Sequence, residues 1–118
     1  MTDPTNIIDT RERAAVLAHA MLRLAPNPAP QGWQSTSQPM LCALLYAASP
    51  VQAGHGIGWV NGTVAALASD KGDAARTAGI SDAAMARVLS RLDGLHDRQR
   101  ATIIKTLRDA VNPWLAVG

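Results

Sequence analysis

The sequence predicts an all-α fold, a compact bundle of about five to six helices around a central apolar helix, Met40–Ala48. Hydrophobic residues make up 47% of the chain and are mostly Ala, Leu and Val, while aromatic residues make up only 3%. Alanine and leucine favour helices, whereas strands favour aromatic and β-branched residues. Apolar residues also recur at spacings of three and four along the chain. A length of 118 residues supports one hydrophobic core, so we expect a single domain, 1–118.

The first predicted helix begins after Asp9 or Thr10, because either side chain can accept a hydrogen bond from the first turn. Apolar residues then follow at helical spacing as far as Ala25. The three prolines of segment 26–30 should end this helix and form a stiff linker.

The central helix is predicted from the run Met40–Ala48, which is apolar on all sides. Ser37 can cap it, and Pro39 then falls in the first turn, where proline is tolerated. A helix that runs through Pro39 with a kink is the alternative. Pro50 should end the helix in either case.

Glycines mark the middle of the chain. Gln52–Gly58 is predicted to be a loop, and Trp59 opens a helix whose apolar pattern breaks at 70–72. A short helical segment, Asp73–Ala78, should follow and end at Gly79.

Two more helices are predicted in the last third. Ser81 is the expected N-cap of the first, which ends at Gly94. Asp97 opens the second, and Asn112–Pro113 should terminate it.

No pattern in the sequence predicts catalysis, a cofactor or a metal site. The three histidines and Cys42 show none of the spacings of metal ligands, and the glycines of 54–58 lack the lysine and the preceding strand of a phosphate-binding loop. We therefore expect a non-enzymatic domain without a cofactor. A single cysteine favours a reducing, cytoplasmic setting, and the longest apolar run is too short to insert into a membrane.

A candidate partner-binding surface follows from expected exposure. His55 lies on the glycine loop, and exposed loops on a rigid scaffold often carry binding residues. The basic residues of the last third mostly avoid the apolar stripes of the helices, and four of them are expected to face solvent: Arg87, Arg91, Arg98 and Arg100. The net charge of +2 permits an acidic partner without requiring one.

The segment Ala75–Leu89 resembles the helix-turn-helix of bacterial repressors. Gly79 allows a sharp turn, and Ser81 would cap the second helix. A DNA-binding transcriptional regulator is therefore the alternative function. The second helix offers few donors to base edges, because its outer positions include Asp82 and two alanines.

Taken together, the helices resemble the all-α domain of type IV secretion coupling proteins, the conjugative DNA-transfer ATPases of the actinobacterial kind. Four passages carry the resemblance: the alanine-rich run 13–18, Trp33 with the run Met40–Ala48, the tripeptide Gly58-Trp59-Val60, and segment 97–107 with the closing Asn112-Pro113-Trp114-Leu115.

The resemblance implies a piece of a larger ATPase, in which the Walker motifs belong to the parent chain. It implies recruitment of substrates, namely relaxase proteins with DNA as a nucleoprotein, or effector proteins, to a hexameric motor. It also implies a position on the cytoplasmic face of an inner-membrane-associated complex.

Overall fold

The computed structural model describes residues 3–69 and 73–115, and every regular element in these ranges is helical. The all-α prediction is therefore confirmed, and the radius of gyration of 12.7 Å is that of a compact bundle. In the described ranges, six α-helices and two 3₁₀ helices follow in chain order: η1 (Pro4–Ile7), α1 (Arg11–Arg23), α2 (Gln31–Ala48), α3 (Gly56–Ser69), α4 (Ala74–Ala78), α5 (Ala83–Leu89), η2 (Ser90–Gly94) and α6 (Asp97–Leu115).

Helix α1 begins where the sequence predicts. The hydroxyl of Thr10 accepts a hydrogen bond from the backbone N–H of Arg13 at 3.1 Å, so Thr10 is the N-cap. The helix ends at Arg23, two residues before the predicted Ala25. Its buried face packs along α2 and α6.

Helix α2 is longer than the predicted central helix, because it begins at Gln31 and passes through Pro39. The alternative prediction of a helix through Pro39 is thus correct, and the prediction of Ser37 as the cap is wrong, since Ser37 is buried within the helix. Because proline has no backbone N–H, Pro39 cannot donate a hydrogen bond to the carbonyl of Ser35. Ser35 is exposed, so this carbonyl is not buried without a partner in the core. Packing of the remaining turns against the bundle stabilises the helix despite this missing bond.

The second half of α2 forms the centre of the core, as predicted. This half belongs to a helix that contacts α1, α3, α5 and α6. Six of its residues are buried: Met40, Leu41, Ala43, Leu44, Leu45 and Ala48.

Helix α3 begins at Gly56, inside the predicted loop Gln52–Gly58, because a distant carboxylate caps it. One oxygen of Asp3 accepts the backbone N–H of Ile57 at 2.9 Å, and the other accepts from the N–H and hydroxyl of Thr5. Burial raises the pKa of Asp3, but these hydrogen bonds outweigh it and hold the pKa below its ordinary value. The sequence gives no sign of this capping contact between η1 and α3.

Helices α4 and α5 form a tight pair joined at Gly79, which adopts φ +69°. Asp73 caps α4 by accepting from the N–H of Arg76. The prediction of Ser81 as the cap of α5 is wrong. The side chain of Asp82 accepts from the N–H of Met85 at 3.1 Å, so Asp82 is the cap.

The last helix, α6, begins at Asp97 as predicted but runs to Leu115, so the prediction that Asn112–Pro113 terminates it is wrong. Proline removes one donor, and in the last turn few intrahelical bonds remain to be lost. Gly94 ends η2 rather than α5, which stops at Leu89. The predicted break at 70–72 lies outside the described residues.

Candidate functional site

A groove of about 250 Å³ lies between α2, α3 and the α4–α5 turn. We call it the aromatic groove. Helices α2 and α3, the loop between them, and the α4–α5 turn with its flanking residues supply the walls, and the lining residues are Tyr46, Ala47, Gln52, Ala53, His55, Trp59, Ala78, Gly79, Ile80, Ser81, Asp82 and Met85.

Two stacked rings form one wall of the aromatic groove. The rings of His55 and Trp59 have centroids 5.8 Å apart and planes inclined by 30°. Trp59 is half-buried on the first turns of α3, whereas His55 is exposed. Both rings therefore offer apolar faces and polar nitrogens to an occupant.

The backbone holds His55 between two glycines with positive φ, Gly54 at +71° and Gly56 at +80°. The N–H of Gly54 donates to the carbonyl of Ser49 at 2.9 Å, which folds the loop back onto the end of α2. A side chain at Gly56 would place its Cβ 2.6 Å from a carboxylate oxygen of Asp3. The loop conformation thus depends on glycine and positions the imidazole at the edge of the groove.

The opposite wall comes from the α4–α5 turn and is mostly apolar. Ile80 and Met85 are half-buried there, and Ser81 is exposed. The left-handed conformation of Gly79 brings this turn against α2, where Tyr46 completes the lining. Half-buried apolar and aromatic side chains around one concavity are typical of protein-binding sites.

The only carboxylate that lines the groove among the described residues, Asp82, is already neutralised. Its Oδ2 accepts from Nη2 of Arg11 at 2.8 Å, and its Oδ1 accepts from the N–H of Met85. The hydrogen bond from Met85 and the guanidinium together lower the pKa of Asp82, against an opposing effect of desolvation. Arg11 also lies over the ring of Tyr46, 5.9 Å from its centroid. The groove therefore suits a largely uncharged occupant.

The predicted partner-binding residues do not form one site. His55 lines the aromatic groove, and none of the four predicted arginines does. Arg87 and Arg91 are exposed on α5 and η2, and Arg98 is exposed on the first turn of α6. The expectation that Arg100 is exposed is wrong, because this side chain is only 5% exposed. Arg100 precedes Ile103 and Ile104 by three and four residues and therefore lies on the buried face of α6, where it lines one concavity with Ile104 and Ala68.

Most of the groove cannot be predicted from the sequence pattern, which places Trp59 and Met85 in buried helical stripes. One signal is present, because tryptophan, tyrosine and methionine are enriched where a surface binds proteins. What brings them together is the turn at Gly79, and this contact cannot be inferred from periodicity.

Other potentially reactive groups offer no competing site. Burial raises the pKa of the Cys42 thiol, so little of it is thiolate, and its Sγ lies 3.7 Å from the carbonyl oxygen of Arg11. Within residues 3–69 and 73–115, no three His, Cys, Asp or Glu side chains gather where they could hold a metal ion.

No protein-family model matches the chain, and no curated protein or solved structure matches it either. In the described part of the chain, none of the helices combines the length and the apolarity that a bilayer crossing requires.

Proposed function

We propose that this chain is a non-enzymatic recognition domain that docks a segment of a partner protein in the aromatic groove. The groove itself supports this proposal, with Trp59, Tyr46 and Met85 around one concavity and its carboxylate already paired. Aromatic and methionine side chains contribute much of the energy of protein interfaces, and a neutralised carboxylate imposes no charge on the occupant. A segment with one or two apolar side chains and free backbone amides fits this chemistry.

The role that the sequence resemblance implies is consistent with docking. In a coupling ATPase of type IV secretion, such a domain would recruit a relaxase carrying DNA, or an effector protein, to the hexameric motor. The domain would then lie at the cytoplasmic face of the inner membrane. The chemistry of ATP hydrolysis would belong to the rest of the polypeptide.

The test is calorimetric titration of the chain with a purified relaxase that carries no DNA, and separately with effector tails. Trp59→Ala and Met85→Glu should each weaken binding by at least about tenfold. Trp33→Ala removes a half-buried tryptophan outside the groove and should leave the affinity unchanged. Circular dichroism checks that each variant is folded. Equal loss in the Trp33 and Trp59 variants, or no binding by the unaltered chain, would refute the proposal.

A second candidate, sequence-specific DNA binding by α4 and α5, is favoured by the observed turn. Gly79 adopts a left-handed conformation between two short helices, and the turn of a helix-turn-helix motif often contains glycine. Arg87 and Arg91 are exposed on the second helix and just beyond it. Selection from a random duplex pool tests it. Enrichment of one sequence, lost in an Arg87→Ala/Arg91→Ala variant, would favour the regulator over the docking domain.

A further inference from the structure

Acidic and basic side chains are used differently in the described part of the molecule. Most carboxylates accept hydrogen bonds from backbone N–H groups or form ion pairs. The first kind of contact is made by Asp3, Asp73, Asp82 and Asp93. Several arginines of the last third have no carboxylate within ion-pair distance among the described residues, including Arg98 and Arg108 on α6. The uncompensated charge on this part of the surface is therefore positive.

Three cations lie along one face of α6, and we call them the basic stripe: Arg98, Lys105 and Arg108. All three are exposed. Helical geometry places them within an arc of about 80° and over a length of about 15 Å. Ala101 lies on the same face between the first two and leaves the backbone accessible. Two carboxylates flank the stripe, of which Asp109 pairs with Lys105 at 2.9 Å and Asp97 opens the helix.

A half-buried aromatic ring lies beside the basic stripe. Trp33 lines a cavity of about 290 Å³ together with Lys105 and the proline linker of 26–30. On its other side the stripe borders a second cavity of about 500 Å³, whose lining includes Arg108, Ala68 and Ile104. The stripe is thus a ridge of positive charge with an aromatic ring in the adjoining depression.

We propose that this surface binds the backbone of single-stranded nucleic acid. Surfaces that bind single strands combine cations that follow the phosphates with an aromatic side chain on which a base stacks. Guanidinium groups suit phosphate because they donate two parallel hydrogen bonds. An acidic protein segment can use the charges without an adjacent ring, whereas single strands are bound by cations together with a ring on which a base stacks, so the combination favours nucleic acid. The surface is separate from the aromatic groove, and the inference does not depend on the function of that groove.

The test uses a fluorescein-labelled oligothymidylate of about 20 nucleotides and the anisotropy of its emission, with sodium chloride varied from about 50 to 200 mM. The Arg98→Gln/Arg108→Gln variant should lower the slope of log affinity against log salt by about 1.4, because two phosphate contacts are lost. The control, Arg13→Gln/Arg23→Gln, makes the same change in net charge on α1 and should leave the slope unchanged.

The contribution of stacking is measured separately. Trp33→Ala should weaken binding about tenfold without changing the salt slope, and Trp33→Phe should restore most of the loss. Trp59→Ala, in the aromatic groove, should have no effect. Circular dichroism shows whether the Trp33 variants remain folded. If the Trp33 variants unfold, the arginine variants still test the proposal.

Several outcomes would overturn the inference. If the chain does not bind at low salt, or if the control arginine variant lowers the salt slope as much as the Arg98/Arg108 variant does, the basic stripe is only a solvent-exposed face of α6. Tighter binding of an acidic peptide such as polyglutamate would make the partner a protein. Equal affinity for a duplex of the same length, with no effect of Trp33→Ala, would exclude single-strand recognition.

Discussion

The ion pair between Arg11 and Asp82 joins residues 71 positions apart in the sequence, with 2.8 Å between Nη2 and Oδ2. It connects the first turn of α1 to the first turn of α5, and the guanidinium also lies over the ring of Tyr46. Because Asp82 caps α5 with its other oxygen, one carboxylate fixes both the helix start and its position against α1. One wall of the aromatic groove depends on this arrangement.

Two substitutions of Asp82 separate its two contacts. Asparagine can still cap α5 but loses the charge that pairs with Arg11, whereas alanine loses both. We expect the urea midpoint to fall in the order Asp82, Asp82→Asn, Asp82→Ala. In the Arg11→Gln background, Asp82→Asn should lower the urea midpoint by less than it does in the unaltered chain, because the ion pair between Arg11 and Asp82 is already broken. Identical midpoints for the asparagine and alanine variants would show that the cap contributes nothing.

Stability should fall in acid because the pKa values of Asp3 and Asp82 are lowered in the folded chain. For Asp3, hydrogen bonds from Thr5 and Ile57 outweigh burial, and for Asp82 the hydrogen bond from Met85 leads. A lowered folded pKa contributes stability that is complete above the unfolded value near 3.8 and is lost as pH falls through the folded value. Urea unfolding measured from about pH 6 to pH 2 should show this decline.

The double variant Asp3→Asn/Asp82→Asn is the matched control for the loss of stability at acidic pH. Neither asparagine titrates, so the variant should be less stable at neutral pH and should lose less stability on acidification. Parallel pH profiles for the variant and the unaltered chain would contradict the assignment of these two carboxylates.

Local chemistry explains what could be predicted from the sequence. Thr10 acts through a cap and Gly79 through a left-handed turn, and the apolar run Met40–Ala48 acts through the burial of most of its side chains in the core. Each of these predictions is confirmed by the fold. The errors at Ser81 and Ser37 concern which of several nearby polar residues caps a helix, a choice that depends on what the rest of the chain covers.

Contacts between distant segments explain what could not be predicted. The early start of α3 depends on Asp3, and the aromatic groove depends on the approach of Ile80 to Trp59. The burial of Arg100 is a different case, because Arg100 precedes Ile103, Ile104 and Leu107 by three, four and seven residues and so lies on the buried face of α6, which the spacing alone indicates. The periodicity of one helix carries no information about the contacts that Asp3 and Ile80 make with distant segments.

The core of α2 should be the most sensitive region to truncation. Leu44 is fully buried at the centre of the bundle, so Leu44→Ala should lower the free energy of unfolding by about 2–5 kcal/mol. Val16 is 70% exposed on α1, and Val16→Ala should change it by less than about 0.5 kcal/mol. Chemical denaturation of both variants measures the difference. A loss for Leu44→Ala as small as that for Val16→Ala would mean that α2 is not the central helix.

Two glycine-to-alanine substitutions should change the stability of the folded chain in opposite directions. Gly79 adopts φ +69°, a conformation that costs an L-residue about 1–2 kcal/mol, although a Cβ there would meet no neighbouring atom. Gly62 lies within α3 and is exposed, and a Cβ at that position would also meet no atom within 4 Å, so alanine there should stabilise the helix by about 0.5–1 kcal/mol. Thermal unfolding of the two variants tests this. A Gly79→Ala variant as stable as the Gly62→Ala variant would show that the α4–α5 turn does not require the left-handed conformation. Because the same turn forms a wall of the aromatic groove, Gly79→Ala should also weaken partner binding while the fold persists.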